Sequence, residues 1–194
     1  QGYSSAASDV YKRQDITAAH LQAVADLLEK QTGRYVKLPY GLTATRVYNV
    51  IEIMGKRKET EKICLPIDTD RLPENLLAGE WKFSFKKFLY DGNTDKIPRK
   101  MYTKWFDYDK IKDSLAIRNR RKGDYFVLDA AGHHKKLEDY FVNEKIPASH
   151  RDEQLLLAGE DEIFWIVGGR MAYGTGISDA TRWVLEITAS NSSH

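Results

Sequence analysis

Four cations stand within five positions of this 194-residue chain: Arg118, Arg120, Arg121 and Lys122, with Gly123 and Asp124 closing the run. A guanidinium presents a rigid fork of donors that suits phosphate oxygens, and lysine adds a mobile point charge. Further along come Lys135 and Lys136, then Lys145, then Arg151. Between residues 96 and 136 twelve cations face five acids, although the whole chain carries only +2. A local excess of this kind is the electrostatic footprint of a polyanion partner. A solvated basic face would have the same composition. Strand alternation puts Arg118 and Arg120 on one side, with Arg121 and Lys122 in the following turn. Asp124 then pairs with one of the arginines or caps the turn.

The other chemically suggestive residues read more plainly. Residues 134–143 form a short amphipathic helix by spacing, with Leu137, Tyr140 and Phe141 on one face. Lys135 and Lys136 in its first turn oppose the helix dipole. That placement suits a bound anion, or a pair of solvated lysines that costs little. His133 and His134 could ligate a metal, but no second cluster supplies further ligands, so a polar cap is the better reading. Asp107-x-Asp109 reads as a turn and helix cap. Gly168-Gly169-Arg170 and Gly174-x-Gly176 lack the spacing of a phosphate-cradling loop. Trp105, beside Lys104, could stack a base, while the other tryptophans sit in core-like strand patterns. No nucleophile–base set and no catalytic carboxylate pair is visible. These residues describe a binding unit.

The elements that must position them are short and mixed. Residues 1–14 read as a non-native leader, leaving a frame truncated at its N-terminus. Residues 15–32 read as a helix capped by Asp15 and stopped by Gly33, with Leu21, Val24, Ala25 and Leu28 at helical spacing. Strands are expected at 34–38, as one long run at 42–53, and at 62–67, with a charged turn at 55–58. Residues 80–90 alternate Trp81, Phe83 and Phe85 against Lys82, Ser84 and Lys86, the period of a half-buried strand. Further strands are expected at 101–106, 115–117 and 125–128, with a turn of helix at 109–114. A hairpin from 155–157 to 163–167 and a closing strand at 181–188 complete the chain. The fold class is therefore α+β: a helix-plus-β-meander module over 15–95, then an α/β module over 96–190 with a mixed or antiparallel sheet.

Composition bounds the rest. With 42% hydrophobic and 30% charged residues, the chain matches an ordinary globular protein. The single cysteine, Cys64, excludes an internal disulfide and a cysteine-cluster zinc site. Its neighbours Ile63, Leu65 and Ile67 make it a buried apolar filler by expectation. A reducing cytoplasm fits that usage. No apolar run approaches the ~18 residues of a membrane span, and no membrane partner is expected.

In order and spacing, these motifs resemble the C-terminal part of the tRNA(Ile)-lysidine synthase family. The family pattern Arg-x-Arg-x-x-Gly-Asp stands as residues 118–124. Lys-Lys-Leu-x-acid-hydrophobic-Phe and Lys-Ile-Pro stand as Lys135-Lys136-Leu137-Glu138-Asp139-Tyr140-Phe141 and Lys145-Ile146-Pro147. Arg151-Asp152 follows, and Ile163-Phe164-Trp165-Ile166-Val167-Gly168 supplies the closing apolar strand. The upstream helix and Leu38-Pro39-Tyr40-Gly41-Leu42 are similar to the middle part of clostridial-type members. Two positions depart: Asn143 stands where Asp is usual, and Ala148 where Arg is common.

The resemblance implies an ATP-dependent ligase that joins lysine to the wobble cytidine of CAU-anticodon tRNA(Ile). ATP and Mg would be held by an N-terminal domain with a Ser-Gly-Gly-x-Asp-Ser loop, a motif absent from this sequence. This chain would then be the tRNA-recognition part, inactive alone. Its partners would be that tRNA, its own catalytic domain and a second copy in a homodimer. The expected RNA contacts are Arg118, Arg120, Arg121, Lys122, Lys135, Lys136, Lys145 and Arg151. The competing expectation is a structural or dimerisation module in which the basic run pairs with acids on a partner.

Overall fold

The computed structural model describes residues 16–55 and 62–191, and these divide into two compact units. The leader and most of the charged turn at 55–58 lie outside the described residues. The first unit holds α1 (Ala18–Asp26), a three-ten turn (Leu27–Glu29), β1 (Tyr35–Lys37), β2 (Thr43–Val47) and β3 (Val50–Met54). Thr17 caps α1, its N–H donating to His20 Nδ1 at 3.2 Å. The helix is shorter than its sequence spacing implies and buries none of its residues; Leu21 and Leu28 are exposed. The single strand expected over 42–53 is instead two, because Tyr48 adopts φ 51° and turns the chain. Its halves pair antiparallel, Val47 opposite Val50, completing a β1-β2-β3 meander.

The second unit contains two four-stranded sheets and a hairpin. β4 (Cys64–Pro66), β5 (Asn75–Ala78), β6 (Trp81–Leu89) and β7 (Thr103–Asp107) lead into α2 (Tyr108–Ile111). β8 (Ala116–Arg118), β9 (Tyr125–Val127) and β10 (His134–Lys136) follow, then α3 (Leu137–Asn143) and α4 (Ala148–Arg151). β11 (Leu156–Ala158), β12 (Ile163–Ile166) and β13 (Trp183–Asn191) close the chain. One sheet has the order β5-β6-β13-β7, the other β12-β11-β8-β4, and β9 pairs with β10. All these pairings are antiparallel. β6 matches β13 residue for residue from Trp81–Asn191 to Leu89–Trp183. The alternating strand at 80–90, expected in the module over 15–95, thus lies in the second unit.

The β12-β11-β8 part of the second sheet is buried on both faces. Ile117, Leu155, Leu157, Trp165 and Val167 join one core with Phe83, Phe106, Leu185 and Ile187 of the other sheet. Leu156, Ala158, Ile163 and Ile166 face a second core with Phe126, Leu137 and Phe141. Strands covered on two sides need apolar residues at successive positions, which accounts for the unbroken runs at 155–158 and 163–167. The irregularity between Leu157 and Ala158 sets Ala158 opposite Ile163 and leaves Phe164 as the extra residue. Burying these side chains contributes roughly 1.5–3 kcal/mol each.

Candidate nucleic-acid interface

Arg118 ends β8, a central strand, and so points into the covered layer. Its side chain is 1% exposed, and its guanidinium meets the equally buried Asp124 carboxylate in two bonds: Nη1 to Oδ2 at 2.9 Å and Nη2 to Oδ1 at 2.8 Å. Nη1 also donates to Asn119 O and Nη2 to Glu160 O, while Nε has no partner among the described residues. Asp124 Oδ2 accepts the Arg121 N–H at 2.7 Å, and Leu137 N–H donates to Asp124 O. Asp124 therefore both pairs with an arginine and caps the turn. Gly123, at φ 100°, completes it where a side chain would be strained. Arg118, expected to contact phosphate, is instead an internal tie that shapes the turn behind it.

Arg120 is half-buried. Its Nε and Nη2 each reach Asp152 Oδ1 at 2.7 Å, and Nη1 lies 4.0 Å from Glu138. It joins the turn to α3 and to the end of α4. Arg151 is also half-buried, its Nε donating to Ile146 O. Arg121 and Lys122 are exposed at the turn; Arg121 Nη2 donates to Cys64 Sγ at 3.0 Å. Cys64 is itself exposed, not a buried filler, because edge strand β4 turns that side chain outward.

Lys135 and Lys136 do not open a helix. They form β10, pairing with Phe126 and Tyr125, and α3 starts only at Leu137. Lys136 is the exposed N-cap residue. Lys135 is half-buried; with the Asn143 amide turned to donate to Asp139 O, Lys135 Nζ donates to the Asn143 oxygen at 2.7 Å. The acids Glu138 and Asp139 occupy the first turn, where the dipole favours them. Lys145 is exposed at the left-handed residue after α3, φ 55°.

Three segments thus converge. The Asp124–Leu137 bond sets Lys136 beside the basic turn, and the Arg120–Asp152 pair sets α4 and its approach beside it. Arg121, Lys122, Lys136 and Lys145 are the exposed members; Arg118, Arg120 and Arg151 are tied inside. Sequence reasoning missed Arg170, which is exposed, lies 5.6 Å over the Phe126 ring and donates to Leu128 O. Its only signal was a cation directly after a Gly-Gly turn. Trp105 offers no stacking face: it is buried, donates to Glu186 and packs edge-on with Phe88. His133 is bonded to Asp129 at 2.8 Å, which holds that carboxyl below the usual range. His134 lies edge-on to Tyr125.

Residues 115–187 match the sequence family described as the TilS substrate C-terminal domain. The tRNA(Ile)-lysidine synthase of Caldanaerobacter subterraneus subsp. tengcongensis is 34% identical over 87% of this chain and 36% of its own length. That of Clostridium perfringens is 30% identical over 91% of this chain and 39% of its own. Over residues 115–187 the chain carries a TilS substrate C-terminal domain. It spans under two fifths of the length of these relatives. A crystal structure of the TilS C-terminal domain shares the fold, with TM-score 0.51 at 19% identity, covering 68% of this chain and 98% of that one.

The two departures from the lysidine synthase pattern sit at element ends. Asn143 closes α3 and holds Lys135 through its amide. Ala148 begins α4 directly after its N-cap, Pro147. Neither removes a residue from the buried lock. Among the described residues no cluster of His, Cys, Asp or Glu could hold a metal. The glycine-rich segments after β12 are turns, with Gly168 and Gly174 at positive φ. No helix among the described residues is long and apolar enough to cross a membrane.

Proposed function

We propose that the face built from the basic turn, the start of α3 and the residue after it binds tRNA on behalf of a lysidine synthase. The enzyme would be the ATP-dependent ligase that attaches lysine to the wobble cytidine of tRNA(Ile) with a CAU anticodon. ATP and Mg would act in its N-terminal catalytic domain, and this chain would supply recognition without catalysis. One observation carries the reading: Arg121, Lys122, Lys136 and Lys145, from three separate segments, are exposed within a frame tied by Arg118–Asp124, Leu137–Asp124 and Arg120–Asp152. Arg118 enters as a positioning residue, and Arg120 and Arg151 as supports, tied to Asp152 and to Ile146 O.

The test is a titration of the chain with CAU-anticodon tRNA across a salt series. Binding should weaken linearly in log salt as counterions are released. Replacing Arg121, Lys122 and Lys136 together by Ala should lower the slope by roughly one per lost phosphate contact and leave thermal stability nearly unchanged. Salt-independent binding, or an unchanged slope in the triple variant, would refute the proposal. Sedimentation with and without tRNA distinguishes it from a dimer-supporting role.

A further inference from the structure

A second charged turn lies against the basic one, and it carries the opposite sign. Gly159 follows β11, and with Glu160, Asp161 and Glu162 it forms the connection to β12. Glu160 and Asp161 are exposed and Glu162 half-exposed. None of the three carboxylates makes an ion pair or hydrogen bond among the described residues. What holds this turn is its backbone. Arg118 Nη2 donates to Glu160 O at 2.9 Å, Tyr125 N–H to Asp161 O at 3.1 Å and Gly159 N–H to Glu162 O at 2.8 Å. The same buried guanidinium that grips Asp124 thus grips the acidic turn. Two exposed turns of opposite charge are fixed to each other through one internal residue.

The anionic side extends into a cleft of about 400 Å³. Asp113 joins Glu160, Asp161 and Glu162 on its walls, against a single cation, Lys110. That lysine already lies 3.4 Å from buried Asp107. Carboxylates held free of cations, with their backbone satisfied by other groups, contribute nothing to folding that an amide would not. The bonds from Arg118 to Glu160 O and from Tyr125 N–H to Asp161 O set the acidic turn beside the end of the basic one, and charges act over about a Debye length, roughly 8 Å at physiological salt.

We propose that Glu160, Asp161 and Glu162 are specificity-determining residues: an anionic border that repels the RNA backbone and limits which RNAs fit the basic turn. The inference rests on the tRNA-binding reading above. RNA whose backbone turns away at the border binds undisturbed, while a continuous duplex that must cross it is rejected. Specificity of this kind comes from a repulsive element set beside an attractive one.

The test replaces Glu160→Gln, Asp161→Asn and Glu162→Gln together in the chain, which leaves the bonded backbone groups in place. A control variant, Asp70→Asn/Glu74→Gln/Glu80→Gln, changes net charge equally at other exposed sites. Each is titrated with CAU-anticodon tRNA and with a 20-base-pair RNA duplex at about 0.15 M salt. The border variant should bind the duplex about fivefold more tightly and the tRNA less than twofold more tightly. The control should change both by less than twofold. Equal tightening on the two RNAs, a control matching the border variant, or no gain on the duplex would each overturn the proposal. Wild-type chain that binds neither RNA would remove the tRNA-binding reading itself, an outcome distinct from all three.

Discussion

Replacing Asp124 by Asn probes the lock most directly. The carboxylate is 1% exposed and accepts three bonds, from Arg118 Nη1, Arg118 Nη2 and the Arg121 N–H. An amide of the same size offers one oxygen to three donors and turns its own NH2 toward another donor. It also leaves the guanidinium buried without a counter-charge. Breaking such a pair from one side costs about 3–5 kcal/mol, a large share of the roughly 5–15 kcal/mol that holds a domain folded. For a unit of this size each kcal/mol moves Tm by about 3–4 °C, so a drop of about 10–20 °C is expected. Urea unfolding followed by tryptophan fluorescence reads the effect cleanly, because all four tryptophans, at 81, 105, 165 and 183, lie in the second unit. The double variant Arg118→Met/Asp124→Leu removes both charges. It should be less destabilised than the two single changes combined, with a coupling of about 2 kcal/mol or more. It should not regain full stability, because the carbonyls of Asn119 and Glu160 lose their donor. A loss below about 1 kcal/mol for Asp124→Asn, or additive single effects, would refute the lock.

Three further outcomes follow from particular contacts. Gly168→Ala should cost about 2–3 kcal/mol, because a methyl there lies 2.7 Å from Tyr102 Cε1 and the backbone sits at φ 76°; denaturant melts in wild-type and Tyr102→Ala backgrounds separate the contact from the backbone strain. Cys64 should react fully with Ellman's reagent in the folded chain, since it is exposed on β4; reaction only after unfolding would contradict its placement. Asp129 titrates below the usual carboxylate range, chiefly through its hydrogen bond with His133. A lowered folded value stabilises above the unfolded Asp range and is lost as pH falls through the folded one. His133→Ala should therefore raise the Asp129 midpoint in a carboxyl NMR titration.

Most strands were legible because their patterns are local. Trp81, Phe83 and Phe85 alternate as a half-buried strand must, and the apolar runs at 155–157 and 163–167 read as a hairpin, although not as a layer covered on both sides. What was not legible depended on partners distant in sequence. Strand 80–90 looks equally at home in either module until β13 is known to pair along its whole length. Residues 134–136 carry helical spacing into Leu137, yet they pair with β9 as a strand, since tertiary pairing outweighs propensity over three residues. Tyr48 has no turn signature in its type, and its positive φ appears only when β2 and β3 fold back on each other.

The basic run shows how far a charge count can mislead and where it recovers. Four cations in five residues suggest four phosphate contacts. Register decides otherwise, because β8 lies between β4 and β11 and carries Arg118 into the layer that β9 and α3 cover. The sequence held the clue in Asp124, an acid placed after a glycine turn at the distance needed to fold back on the arginine. Once Arg118 turns inward and Arg120 is committed to Asp152, only Arg121 and Lys122 remain to face a partner from this run. Two charges make a weak site alone, so the proposed recognition would draw on Lys136 and Lys145 from other segments. A face assembled that way exists only in the folded domain. Its geometry is set by the buried pair behind it, so under the proposed function domain stability and the shape offered to RNA would be coupled.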